Sequence, residues 1–292
     1  ATILSFYMGT TFSAAAGGQL LLNLWAPSGF EPFILVSILL SLSLVPVALT
    51  TSPAPPLTRS HPMRIRALFQ ASPVGVVGCF STGLLFSSVG GLGAVFAQTI
   101  GMSTFEISIF MMLIVVGGTA SLWPLGRLSD RVDRRIVIAG AFFAAAGTGA
   151  AVMFASSMDG SRWLLLAMAA FYGASAMPIY GIAVAHANDK LSDDQYVPAS
   201  STLLLCYGLG AVLGPVTASF MMSEFGPIGL FGFVTSIGLA AGTFVLWRIT
   251  RRAPTAADEK GAFVPTPIKT PGGLVLTGMA AGDTSQVQPE NA

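Results

Sequence analysis

Polar and apolar residues are unevenly distributed along this chain. Eight long stretches, at about 3–25, 31–50, 73–99, 104–125, 136–157, 162–186, 197–222 and 226–249, are almost free of charge in their interiors. The ionic residues are gathered between them. Charges are excluded from hydrocarbon, and a helix needs about 20 apolar residues to cross it, so the pattern predicts a chain that crosses a bilayer repeatedly. Barrel strands would need only about 10 residues each and would alternate polar with apolar positions. The runs here are too long and too uniformly apolar for that, which predicts an all-α polytopic membrane helix bundle.

The interruptions carry their own information. Residues 51–62 are rich in proline and cannot continue a helix, so they mark a boundary between two groups of spans. Residues 63–69 mix basic and apolar positions and fit a short amphipathic helix in the interface. Beyond Trp247 the chain changes character, and 251–292, rich in Pro, Gly, Ala and Thr, is expected to be a disordered tail. The expected divisions are therefore 1–52, 53–70, 71–250 and 251–292.

Composition sharpens the membrane reading. Of 292 residues, 53% are hydrophobic and 9% charged, and the mean hydropathy is +0.74. A soluble domain carries roughly 25% charged residues. No basic patch points to nucleic acid. Cys79 and Cys206 lie inside apolar runs without metal-ligand spacing, and they read as small apolar side chains. No metal site and no cofactor are expected. The chain starts at Ala1 in membrane-grade sequence, and the reading is that a segment upstream is missing.

Charge placement gives an orientation. There are 14 Lys and Arg residues; with the Pro-rich linker and the turn at 126–135 placed in the cytoplasm, only Arg162 lies outside, leaving 13 inside. That positive-inside bias puts the C-terminus in the cytoplasm.

The segment Gly126-Arg127-Leu128-Ser129-Asp130-Arg131-Val132-Asp133-Arg134-Arg135 holds six charges between two apolar runs. It resembles the loop signature of the major facilitator superfamily, Gly-x-Leu-Ala/Ser-Asp-Arg/Lys-x-Gly-Arg/Lys-Arg/Lys, with Asp133 in place of the second Gly. With Ala185-His186-Ala187-Asn188-Asp189, it is similar to a YcaD-like bacterial subgroup of that family. The resemblance implies that the spans are helices five to twelve of a twelve-helix fold, lacking the first four. Residues 1–52 would be the last two helices of the N-terminal bundle, 53–70 the cytoplasmic linker and 71–250 a six-helix C-terminal bundle.

By the same resemblance the protein is a secondary active transporter of a small solute, working by alternating access in the bacterial inner membrane. It would not be an enzyme. The other reading is a truncated, non-transporting fragment or scaffold. The resemblance also implies that Gly126, Asp130, Arg131, Arg134 and Arg135 form a conformational latch between bundles; the plainer alternative is a set of topology-setting charges on a solvated loop.

No Asp, Glu, Lys or Arg lies near the middle of a span, so a coupling proton would have to travel through the missing helices, if the protein is proton-coupled at all. By the family pattern the first, third, sixth and seventh spans line the cavity. Gln19, Tyr172, Tyr180 and Tyr207 are the candidate substrate-binding residues there, because a tyrosine hydroxyl in a bilayer needs a polar partner. The serines and threonines of these spans serve either solute contact or helix-to-helix hydrogen bonding. His186 either titrates or is structural. Pro178 predicts a kink, and Gly210-x-x-x-Gly214 close helix packing. No P-loop or nucleophile elbow is present, which argues against an ATP-driven pump and a hydrolase.

Overall fold

The computed structural model describes residues 2–26, 28–50, 63–157, 162–192 and 195–251. Their regular structure is helical throughout: α1 (Thr2–Leu20) with a 3-10 turn (Leu21–Asn23), α2 (Glu31–Leu49), α3 (Ile65–Ala71), α4 (Pro73–Thr99), α5 (Thr104–Arg131), α6 (Arg134–Ser157), α7 (Arg162–Asn188), α8 (Tyr196–Phe225) and α9 (Gly229–Arg251). Seven of these, α2 and α4 to α9, are long and apolar enough to cross a membrane. The first expected span is the exception. Its helix forms, but Thr10, Thr11, Gly17, Gly18 and Gln19 dilute its apolar content.

Local sequence accounts for the helix starts. Ser72 accepts a hydrogen bond from the Gly75 N–H while Pro73 takes the first helical position of α4, where no N–H is needed. At α5, Ser103 and Glu106 form a reciprocal capping box. The short helix α3 does form, anchored by the fully buried Leu68 with Ile65 and Phe69 exposed.

The core is built from three helix pairs, α4 with α8, α5 with α7, and α6 with α9. Lipid tails are as apolar as leucine, so no hydrophobic force draws helices together in a bilayer; close van der Waals packing must do it. Small residues make that packing possible. A Cβ on Gly83 would strike the Tyr207 carbonyl, and one on Gly210 the Phe80 carbonyl, so α4 and α8 touch backbone to backbone. Gly173 does the same for α7 against Ile114 of α5. The expected Gly210-x-x-x-Gly214 packing is thus present.

Outside the core the surface is apolar. Phe33, Leu49, Val212 and Phe220 are each more than 60% exposed, and α2 buries none of its residues. In water such a surface would drive aggregation; against acyl chains it is the solvated face.

Hydrogen bonds fix which helix ends lie together. Met63 N–H donates to the Pro198 carbonyl and its carbonyl accepts from Thr202, joining the α3 end to the start of α8. Arg134 joins the α5–α6 turn to the end of α7. At the opposite end, Arg162 donates to the carbonyls of Ile100 and Gly101. Among the described residues, Arg64, Arg66, Arg127, Arg131, Arg134, Arg135, Lys190, Arg248 and Arg251 therefore share one end of the bundle, and Arg162 the other. The linker at 51–62 and the tail at 252–292 lie outside the described residues.

Candidate functional site

The charged segment is not a solvated loop. Helix α5 continues to Arg131 and α6 begins at Arg134, which leaves only Val132 and Asp133 between them. A hydropathy reading ends a span where charge begins. A helix does not, since its last turns can project into the headgroup layer with Arg131 favourably placed at the negative end of the α5 dipole.

Asp133 takes on a role that its replacement of glycine does not suggest. No described residue other than glycine has a positive φ, so the position is not a left-handed turn. The Asp133 carboxylate accepts from the Arg135 backbone N–H at 3.0 Å, capping α6, and from the Arg135 guanidinium at 2.7 Å. Burial pushes this carboxyl upward, yet the Arg135 side-chain and backbone hydrogen bonds and its charge outweigh that and hold it below the usual aspartate range. The cap is therefore intact at neutral pH and is lost as pH falls through that lowered value.

Arg134 is the centre of the cluster. Its guanidinium is 1% exposed and lies 3.1 Å from Asp130 and 3.0 Å from Asp189. Asp130 is one helical turn away across the α5–α6 corner. Asp189 immediately follows α7, so the ion pair binds the α5–α6 hairpin to the end of a third helix. Gly126 and Ser129 are buried beneath it, with the Ser129 hydroxyl donating to the Gly126 carbonyl. Of the expected latch residues, the structure brings Gly126, Asp130 and Arg134 together, with the Asp133–Arg135 pair alongside, and leaves Arg131 exposed. The ion pairs that hold the cluster join helices of the 71–250 group to one another.

Asp189 was not among the expected latch residues. An acid at a helix end on the basic side of the membrane was the available signal, but the partner stands 55 positions away in sequence. His186, one turn before it, is 5% exposed within the same cluster.

The four candidate substrate residues separate. Tyr172 is 1% exposed; its hydroxyl donates to the Leu85 carbonyl of α4 at 2.8 Å and its ring meets Phe231 of α9 edge-on. In this structure its polar atom is engaged in packing between α7 and α4. Tyr180 is equally buried, but its hydroxyl has no hydrogen-bond partner among the described residues. Its ring stands edge-on to Tyr207 of α8 at 5.2 Å, and Tyr207 is partly exposed. Gln19, near the end of α1, is half-buried. Among the described residues, helix α1 packs chiefly along α5.

Several hydroxyls of the same spans bond within their own helix. Thr82, Ser87, Ser88, Ser175 and Ser201 donate to carbonyls three or four residues back on their own helices. Thr202 and Thr235 reach another segment. A shallow open cleft of ≈ 330 Å³ between α5 and α7, lined by Gly117, Ala120, Ser121, Ala170, Phe171 and Ala174, includes none of the candidate residues. Among the described residues no group of His, Cys, Asp and Glu is arranged to hold a metal ion.

Long antiparallel and parallel spans, paired through glycines and closed at one end by a charged corner, define a multi-pass α-helical membrane protein. The chain belongs to the Major Facilitator Superfamily, whose model matches residues 3–196 and again 124–282. It is 26% identical over 239 residues to the uncharacterized MFS-type transporter YcaD of Salmonella dublin, an overlap that covers 81% of this chain and 59% of the relative. The YcaD of Escherichia fergusonii is 29% identical over 164 residues, covering 56% of this chain and 41% of the relative. The chain thus spans about three-fifths of the length of the Salmonella relative it matches.

Proposed function

We propose that this protein acts in a secondary active transporter that moves a small neutral or amphiphilic solute by alternating access, and not as an enzyme. Family membership supports the class. The observation that carries the site is Tyr180: a phenol hydroxyl, 1% exposed and without a hydrogen-bond partner among the described residues, standing on α7 against Tyr207 of α8. A buried hydroxyl left unpaired costs about 1–3 kcal/mol, which a solute or a water entering between α7 and α8 offsets. Tyr207 supplies an aromatic wall. Gln19 remains a candidate for the facing side, brought near when α1 moves with respect to α5.

The charged corner is the second part of the proposal. Asp130, Arg134 and Asp189 hold the α5–α6 hairpin to the end of α7, and Arg131 and Arg135 flank them. Breaking and remaking these pairs is the step by which the cytoplasmic end opens. In this reading the protein lies in the bacterial inner membrane with the basic end and the C-terminus in the cytoplasm. Any coupling proton is carried by residues other than the described spans, whose middles hold no ionisable carboxylate.

The experiment is solute uptake into proteoliposomes screened over neutral and amphiphilic compounds, with Tyr180→Phe beside the wild type. The proposal predicts a compound whose uptake falls at least tenfold in Tyr180→Phe while Tyr172→Phe, matched for chemistry, transports normally. Equal loss in both variants would remove Tyr180 from the site.

A further inference from the structure

Among the described residues, two groups of three arginines differ in what they face. Arg134, Arg135 and Arg162 each face a carboxylate, namely Asp130 with Asp189, Asp133, and Glu106. Arg127, Arg248 and Arg251 do not. No carboxylate among the described residues lies within ion-pair distance of them, and each instead lies over a tryptophan ring. Arg127 is 3.6 Å from the centre of the Trp123 ring, while Arg248 and Arg251 lie 5.6 and 5.7 Å from the centre of the Trp247 ring.

Both tryptophans are on the outer surface of the bundle, at 61% and 49% exposure. Their depth follows from helix geometry. From the start of α5 to Trp123, and from the start of α9 to Trp247, the helical rise covers about 27 to 29 Å, close to the roughly 30 Å of a hydrocarbon core. The indoles therefore sit at the level where an amphipathic ring is best placed; Arg127 and Arg251, one turn further on, and the adjacent Arg248, whose long side chain reaches outward, are in the headgroup layer. The Arg127 guanidinium, 3.6 Å from its ring, is held by stacking, Arg248 and Arg251 are within cation–π range of theirs, and each keeps its N–H fork for a planar, bidentate acceptor.

We propose that Trp123 with Arg127, and Trp247 with Arg248 and Arg251, are docking points for the phosphate of an anionic phospholipid. The acceptor required is an oxyanion that reaches the lipid-facing surface at headgroup depth, which a phosphodiester of the surrounding leaflet does without leaving the bilayer. The other end of the bundle offers no equivalent among the described residues. Its arginine, Arg162, is engaged by Glu106 and two carbonyls, while the exposed Trp163 beside it has no arginine stacked on it. The docking points are thus confined to one leaflet. This inference does not depend on the solute or on transport.

The test uses the whole chain in mild detergent, with bound lipid counted by native mass spectrometry. The lipids are phosphatidylglycerol and phosphatidylcholine of matched acyl chains, offered in equal amounts. Each arginine at the membrane surface is worth about a fivefold change in affinity for anionic lipid. The wild type is expected to retain phosphatidylglycerol preferentially, and Arg248→Gln with Arg251→Gln to reduce that preference on the order of twentyfold. Arg248→Lys with Arg251→Lys keeps the charge but not the planar fork, and should fall between. Inorganic phosphate in excess should leave the bound lipid in place; displacement by phosphate would assign the site to a free anion instead. Equal retention of the two lipids by the wild type overturns the proposal, as does a preference unchanged in both double variants.

Discussion

Asp189→Asn tests what the buried arginine is worth. Arg134 is 1% exposed, and its two acids differ in their surroundings: the Asp189 side chain is 3% exposed and that of Asp130 35%. Attraction between charges strengthens as water is removed, so the inner pair should dominate. Breaking a buried ion pair by removing one partner costs about 3–5 kcal/mol, because the remaining charge is left uncompensated. Asp130 stays in place and offsets part of this, which puts Asp189→Asn near 3 kcal/mol. Asp130→Asn removes a partly exposed partner and should cost about 1 kcal/mol. For a domain of this size 1 kcal/mol corresponds to roughly 2–4 °C, so the expected falls in Tm are about 6–12 °C and about 2–4 °C respectively. Thermal unfolding of the purified protein in one detergent, followed by tryptophan fluorescence, measures both. Arg134→Met combined with Asp189→Leu should recover much of the loss by removing the buried charges together. If Asp130→Asn is the more damaging of the two acid variants, the assignment of Asp189 as the principal partner is wrong.

The two buried tyrosines should behave oppositely. Tyr172→Phe deletes a made hydrogen bond and should lower stability by about 1 kcal/mol, whereas Tyr180→Phe removes an unsatisfied hydroxyl and should leave Tm unchanged or slightly raised. Gly83→Ala forces the α4 and α8 backbones apart at Tyr207, and a Tm reduction equivalent to about 1–3 kcal/mol or more is expected by the same thermal assay. For orientation, a cysteine at Val132, which is 37% exposed, should resist an impermeant thiol reagent in intact cells, while one at Phe105, 60% exposed near the other end, should react; the reverse pattern would invert the topology.

Much of the fold is legible in the residues because hydrocarbon imposes a single strong rule. Exclusion of charge marks the spans from α2 onward, and α4 begins and ends where the apolar run does, at 73 and 99. The rule fails where it stops applying. Past residue 125 the chain enters the headgroup layer, charge is tolerated, and α5 runs six residues further than the apolar stretch. Helix rotation is also hidden. In water a polar face points outward, but in lipid both faces are apolar, so nothing in the run 162–186 distinguishes Tyr172, which is committed to Leu85, from Tyr180, which is not. The pairing of Asp189 was hidden for a different reason: its partner is set by how α7 meets the α5–α6 corner, and no local pattern encodes a pairing between helices.

Alternating access is tested most directly by the reactivity of one position from both sides of the membrane. With Cys79 and Cys206 replaced by alanine and Tyr180→Cys introduced, the account predicts slow modification by an impermeant thiol reagent applied to either face of oriented vesicles from cells producing the protein. Adding Asp130→Asn should weaken the cytoplasmic corner by about 1 kcal/mol and raise the rate from the cytoplasmic face roughly fivefold, with a matching fall from the other face. Reactivity from one face alone, unchanged by Asp130→Asn, would contradict the account.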